Sequence, residues 1–329
     1  MRILGIGNAI VDVICKVDDV FLKKNNLTKS TMKLVDESEF KKILSNLKIE
    51  ETVSGGSVAN SIVGLSQLGN QVGFIGKIND DELGVKYEEG LKKENVQYFY
   101  TKKREVSPTG TCLILITPDS ERTMITFLGV AGQINEKDIN VDAVKKSEIL
   151  FLEGYLWDKG EAKKAFDKAL NNCKKAAMSL SDLFCVERHK SDFLKLVENN
   201  LDITFANEQE IMSLIGTRNF KDVIQFAKKI KKLLIITRGA NGSVAISDDK
   251  VVEHPAKENL NILDLTGAGD LFAGGFLHGY VNKQTIKAIL KFNSFEISQN
   301  LHSVNSRQLK EPHLIQMYDR FATYNGSSP

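Results

Sequence analysis

The residues best placed to do chemistry lie in Asp264-Leu265-Thr266-Gly267-Ala268-Gly269-Asp270, which runs into the small and apolar residues Leu271 to Phe276. Two glycines and an aspartate at the mouth of a helix offer backbone N–H groups and the positive end of the helix dipole, a setting that suits phosphate. Asp270 then stands where a carboxylate takes a proton from a hydroxyl attacking that phosphate. The reaction class to expect is phosphoryl transfer to an alcohol. A tight strand-to-helix turn would use the same two glycines, but Thr266, Gly267, Gly269 and Asp270 together are more specific. No GxxxxGK[ST] occurs, so the segment is not a Walker A loop.

A second segment, Ser54-Gly55-Gly56-Ser57-Val58-Ala59-Asn60-Ser61, leads into a helix ending near Leu68-Gly69. Gly55 and Gly56 let backbone approach a ligand closely, and Asn60 both donates and accepts hydrogen bonds, which suits a polyol or ribose. The plain alternative is a helix cap after a turn. It is no serine-hydrolase elbow, because Ala59 takes the place of the last glycine and no histidine partner is evident.

Gly5-Ile6-Gly7-Asn8-Ala9-Ile10-Val11-Asp12 starts like a dinucleotide fingerprint, but Ile10 replaces the third glycine and a strand follows where a helix should open. Asp12, at the end of an apolar stretch, needs partners once buried: sugar hydroxyls, or a structural salt bridge. Asn207 reads as a helix cap, and Glu210 in the first turn could order Mg²⁺ waters near a phosphate. Thr237, Gly239 and Gly242 follow a strand and read as a hairpin turn or as a nucleotide contact. The five histidines show no HxxxH or HExxH spacing, which speaks against a transition-metal site.

These segments need a scaffold. The 329 residues suffice for a large α/β domain with an appendage or for two domains. At 42% hydrophobic and 26% charged residues, with a net charge of +2 from interspersed charges, no basic face points to nucleic acid. The four cysteines are far apart and fit reduced thiols in a cytoplasmic protein; no apolar run predicts a membrane span, and the strand-like Ile3 to Gly7 leaves no room for a signal peptide. From about residue 145, strands at Ile149–Leu152, Ala177–Leu180, Ile203–Ala206 and Leu233–Thr237 alternate with helices at Glu161–Lys174, Ser191–Val197, from about Glu208, and Phe220–Lys231. That alternation predicts a parallel sheet with helices on both faces and ligands beyond its carboxyl edge. The strand-like Ile10 to Lys16, Met32 to Val35, Thr111 to Thr117 and Arg122 to Leu128, the last two joined at Pro118-Asp119-Ser120, predict a small antiparallel sheet forming a lid. The tail Asn325 to Pro329 reads as disordered.

The motifs together resemble the PfkB/ribokinase family of carbohydrate and nucleoside kinases, over essentially the whole chain and in the same order. The carriers are GG-x-x-x-N, here Gly55 to Asn60, and D-T-x-GAGD, here Asp264 to Asp270 with Leu265-Thr266 departing from its second and third positions. The adenosine kinase branch is the nearest likeness, through Asn8 and Asp12, Gly55 to Ser61, a lid arginine matched by Arg122, and the N-x-x-E pair Asn207 and Glu210. The resemblance implies one ribokinase-like α/β domain over 1–329, a mostly parallel sheet flanked by helices, and a β-lid from segments near 10–50 and 97–130. It also implies ATP as donor, Mg²⁺ held through Glu210 and water, and a monovalent cation near a C-terminal loop matched by Asn300 to Ser306, in a monomer or homodimer. Asn8, Asp12, Gly55, Gly56 and Asn60 would hold the acceptor; Asp270 would be the base; Gly267, Ala268, Gly269 and Arg122 would stabilise the moving phosphoryl group; Asn207, Thr237, Gly239 and Gly242 would meet the nucleotide. The acceptor expected is adenosine, with fructose, ribose or 2-keto-3-deoxygluconate as alternatives. An apolar lid wall around Ile10, Leu34 and Phe127 would favour the purine. A nucleoside-binding protein without turnover would not need Asp270, Gly267, Gly269 and Glu210 intact.

Overall fold

Runs such as Ile3–Ile6, Val72–Ile75 and Ile149–Leu152 have no polar face, so they require cover on both sides, and all of their residues are buried. The computed structural model describes residues 1–119, 121–158, 160–257 and 267–300, the last six by backbone alone. In chain order the strands are β1 (Ile3–Ile6), β2 (Ile10–Lys16), β3 (Met32–Leu34), β4 (Glu51–Gly55), β5 (Val72–Ile75), β6 (Gln97–Tyr98), β7 (Gly110–Ile116), β8 (Arg122–Phe127), β9 (Ile149–Glu153), β10 (Ala176–Ser179), β11 (Ile203–Asn207), β12 (Leu233–Thr237), β13 (Ser243–Ser247) and β14 (Lys250–His254). The helices are α1 (Asp19–Lys24), α2 (Glu37–Leu44), α3 (Ser57–Gln67), α4 (Glu82–Lys93), α5 (Val141–Lys146), α6 (Ala162–Leu170), α7 (Leu183–Lys195), α8 (Glu208–Ile215), α9 (Phe220–Ile230), α10 (Ala268–Val281) and α11 (Ile286–Asn300).

Nine strands form the large sheet, in the order β14-β13-β12-β11-β10-β9-β1-β5-β6. It is parallel from β12 to β6, and β13 and β14 extend it as antiparallel hairpins. The register aligns the carboxyl ends: Leu152 stands beside Ile6, Ser179 beside Glu153, and Thr237 beside Asn207. One apolar core lies on each face of this sheet; α3 and α10 cover one, and α6 to α9 the other.

Two helices differ from the sequence expectation. The one expected over Ser191–Val197 starts at Leu183, where Asp182 caps it by accepting from the Cys185 N–H at 2.6 Å. Its first turns carry mixed polar residues, which blur the apolar period. The one expected over Glu161–Lys174 ends at Leu170. Among the described residues no helix is long and apolar enough to cross a membrane, and all four cysteines are free thiols.

The smaller sheet has five strands in the order β3-β8-β7-β2-β4. It is mixed rather than antiparallel: β2 runs parallel to β7 and β3 parallel to β8. Only strands joined by a tight turn, such as β7 and β8, must run antiparallel, and β2 meets β7 across a long stretch of chain. Its strands come from residues 10–55 and 110–127, and Gln97–Tyr98 pairs with the large sheet instead. Ser120 of the expected turn lies outside the described residues.

Because successive side chains alternate, this sheet has two different faces. Val11, Val13, Leu113, Leu115, Ile125 and Phe127 pack against α1 and α2 in the large core. Ile10, Cys112, Ile114 and Leu128 cluster on the opposite face, with the half-buried Ile14, Leu34, Ile116 and Met124 beside them. Phe127 therefore leaves the wall expected of it: its ring sits 5.9 Å from that of Phe40 of α2, behind the sheet. Phe40→Ala should remove this backing and cost about 3 kcal/mol of unfolding free energy. Urea denaturation measures it, and a loss under about 1 kcal/mol would contradict the packing described.

Candidate active site

Ser57, Asn60, Ser61 and Gly64 recur at helical spacing and so share one face of α3. That face lies against α10, closely enough that a Cβ on Gly274 would come within 3.0 Å of the Ser61 carbonyl oxygen. The approach lets three α3 side chains reach Asp270. Ser57 Oγ donates to Asp270 Oδ1 at 2.6 Å, Asn60 Nδ2 donates to Oδ2 at 2.9 Å, and Ser61 Oγ donates to the Asp270 carbonyl at 2.7 Å. Asn60, expected to wait for a sugar, is already bonded to the expected base.

Gly267 is the N-cap of α10, with φ of 76° and no side-chain cap. The first-turn N–H groups thus face outward without the serine or aspartate that usually covers them. A Cβ on Gly269 would meet nothing within 4 Å, so there is open space beside the turn. Ala268 and Asp270 complete this turn. Asp264, Leu265 and Thr266, the first half of the motif, lie outside the described residues. So do residues 301–306 of the segment matched to the cation loop, and the tail from Asn325.

Gly55 and Gly56 join the smaller sheet to α3. A Cβ on Gly55 would fall 2.2 Å from Asp12 Oδ2, and one on Gly56, at φ of 103°, would fall 2.2 Å from the Asn8 carbonyl oxygen. Glycine is required at both places by close approach. Asp12 is buried on β2, on the same face as Ile10 and Ile14, so the apolar wall of the smaller sheet and this carboxylate look the same way. Arg122 is half-buried at the start of β8, opposite Ile116, and belongs to that sheet.

One group was missed in the sequence. Glu153 ends β9 and is fully buried; its Oε1 accepts from Asn8 Nδ2 at 2.8 Å and from the Asn8 N–H at 3.3 Å, and its Oε2 accepts from the Val58 N–H at 3.0 Å. It ties β1, β9 and α3 together beside Asp270. The available signal was a carboxylate closing an apolar parallel strand, on the edge where ligands bind. Asn8 Oδ1, also buried, has no hydrogen-bond partner among the described residues. Burial outweighs the three donors and pushes the Glu153 carboxyl up to about 7, with the nearby Asp270 charge adding to the rise.

Further along the carboxyl edge, Asn207 and Glu210 form a capping box. Asn207 Oδ1 accepts from the Glu210 N–H at 2.8 Å, while Glu210 Oε2 and Oε1 accept from Asn207 N and Nδ2 at 2.9 and 2.5 Å. Burial and the Asp182 charge raise the Glu210 carboxyl to about 7. Each oxygen keeps a further lone pair, which fits a hydrated Mg²⁺ approached through water better than a bare ion. Thr237 stands beside Asn207, and Gly239 to Gly242 make the hairpin turn, closed by Arg238 N–H to Gly242 O at 2.8 Å. Gly242 is needed there, since a Cβ would fall 2.0 Å from the His254 carbonyl oxygen. Arg238 is pinned by Glu208 at 2.9 Å and by the Phe220 ring at 3.9 Å.

Comparison with known proteins places these features in a family. Residues 24–294 match the model of the pfkB family of carbohydrate kinases. Adenosine kinase 2 of Arabidopsis thaliana is 29% identical over 323 residues, covering 88% of this chain and 90% of that protein. The solved structure of adenosine kinase from Sinorhizobium meliloti superposes with a TM-score of 0.87 at 32% identity, covering 98% of this chain and 99% of the other. A probable sugar kinase from Rhizobium etli gives 0.89 at 31% identity, covering 98% of each.

The raised carboxyls have a measurable sign. Between about pH 4.5 and about 7 the folded protein holds the Glu153 proton and the unfolded chain does not, so this group's contribution to stability is complete below that window and is lost as pH rises through it. Glu153→Gln should flatten the fall in unfolding free energy across this window. An unchanged slope in paired denaturation series would show that Glu153 does not carry it.

Proposed function

This chain belongs to the pfkB family of carbohydrate kinases and is a carbohydrate or nucleoside kinase; within that class we propose that it transfers the γ-phosphoryl group of ATP to the 5′-hydroxyl of adenosine. The observation that carries the nucleoside reading is the face of the smaller sheet that looks the same way as Asp12. It is apolar along Ile10, Ile14, Leu34, Cys112, Ile114 and Met124, with the buried carboxylate of Asp12 among them. A purine fits such a wall, whereas a free hexose or sugar acid would leave it wet and its own hydroxyls unpaired.

In this reading Asp12, Asn8 and Asn60, with the Gly55-Gly56 backbone, hold the ribose; the unpaired Asn8 Oδ1 supports a hydroxyl donor there. Asp270 orients the attacking hydroxyl and takes its proton, exchanging the Ser57 or Asn60 hydrogen bond for one from substrate. The uncapped N–H groups around Gly267, Ala268 and Gly269 meet the charge on the phosphoryl oxygens, and Arg122 adds a positive charge from the lid. Asn207, Thr237, Gly239 and Gly242 would lie on the nucleotide side, and Glu210 would hold a hydrated Mg²⁺ through water. Mg²⁺, when bound, neutralises phosphate charge. Reduced thiols fit a cytoplasmic setting.

Because the transition state is loose, Asp270→Asn should lower kcat by roughly 10²–10⁴ while leaving nucleoside binding largely intact. Near-normal turnover would sink the assignment of the base. ADP release measured over nucleosides, pentoses, hexoses and sugar acids tests the acceptor: release with adenosine is expected. Release with a sugar but no nucleoside would overturn the adenosine reading and keep the kinase.

A further inference from the structure

Beyond the phosphoryl-transfer site, three unlike donor groups converge on the 3₁₀ turn that follows β9. Asp158 closes that turn, Gly154–Asp158, while Cys185 and His189 sit one turn apart on α7. One carboxylate oxygen, the thiol sulfur and an imidazole nitrogen all lie within 4.8 Å of one another. His189 Nε2 is 2.9 Å from Asp158 Oδ1. We infer that this group is a binding site for a divalent ion of the zinc class, separate from the Mg²⁺ expected beside phosphate.

Four features support a site rather than a chance meeting. Sulfur, imidazole and carboxylate are together the donor set of a borderline-soft ion, and Mg²⁺ has little use for two of the three. The Asp158 carboxylate is already oriented from outside: Arg188 Nη2 donates to Oδ2 at 2.7 Å and Nε to Oδ1 at 2.8 Å, an outer shell of the kind that steers metal ligands. The helix bends to present the imidazole. His189 leaves helical geometry at φ −118° and ψ 19°, although Leu183–Lys195 contains neither proline nor glycine. Access is one-sided, because Cys185 is fully buried and the Asp158 side chain is 6% exposed while that of His189 is 20% exposed. The ion would enter past His189 and keep a water as fourth ligand.

Bonds of about 2.0–2.3 Å set tetrahedral donors roughly 3.5 Å apart, so His189 and Asp158 separate slightly and Cys185 moves inward. The thiol now donates to the Gly154 carbonyl at 3.4 Å; on binding it gives its proton to solvent and the thiolate takes the metal. The bound ion would fasten the turn after Glu153 to α7. Spacing among histidines alone does not reveal the group, because the helical partner of His189 is a cysteine.

The chain has one tryptophan, Trp157, next to Asp158 and 5.8 Å from the Phe193 ring, which in turn lies 5.8 Å from His189. Full-length, metal-free protein should therefore show a saturable change in tryptophan fluorescence on titration with Zn²⁺ alone. With Co²⁺ it should show a sulfur-to-cobalt charge-transfer band. Cys185→Ala should abolish that band, and His189→Gln, at a partly exposed position that folding tolerates better than the buried Cys185, should weaken Zn²⁺ binding at least tenfold. No charge-transfer band in the parent protein overturns the site. So does a Zn²⁺ response that survives His189→Gln unchanged.

Discussion

The hydrogen bonds between Asp270 and Ser57, Asn60 and Ser61 join residues 213, 210 and 209 positions apart. They exist only if α3 and α10 come together, and those helices come together only where small side chains allow it. Gly64 and Gly274 mark the contact, with Leu271 and Ser61 in the space a larger residue would claim. Asp270, the uncapped helix end and the Gly55-Gly56 junction are thereby fixed to one another. On the other side of α3, Glu153 fastens the Val58 N–H to Asn8, so β1 and β9 enter the same arrangement.

The two sheets divide the candidate site between them. The large sheet aligns Asn8, Glu153, Asn207 and Thr237 at its carboxyl edge because its strands are parallel and in register there. The smaller sheet contributes shape and polarity instead. Its alternation sends Phe127 and Ile125 to the core and leaves Ile10, Ile114 and Met124 with Asp12 on the other face. A one-residue slip in its pairing would reverse that division and bury the carboxylate in the core.

Much of this was legible in the residues. Paired glycines and the helix-opening Asp270 mark the candidate site locally, and apolar runs separated by amphipathic stretches report a parallel sheet. What escaped depended on distant neighbours. Glu153 looks like an ordinary strand end until Asn8 and Val58 close around it. Phe127 reads as a wall residue by type, and only the register of β8 against β7 shows which way it faces. The early start of α7 rests on one capping aspartate, Asp182, before an irregular apolar pattern. The parallel pairing of β2 with β7 leaves no mark in either strand.

The α3 clamp on Asp270 also bears on what the resting protein does with water. Both carboxylate oxygens already accept a hydrogen bond from within the chain. A lone water entering the cleft can only trade with Ser57 or Asn60, one modest bond for another, and brings nothing that tips the exchange. A larger acceptor brings its apolar surface to the wall of the smaller sheet and can fund the swap. Under the proposed role of Asp270 as the base, a carboxylate guarded in this way would curb idle hydrolysis of the phosphoryl donor without any part having to move first.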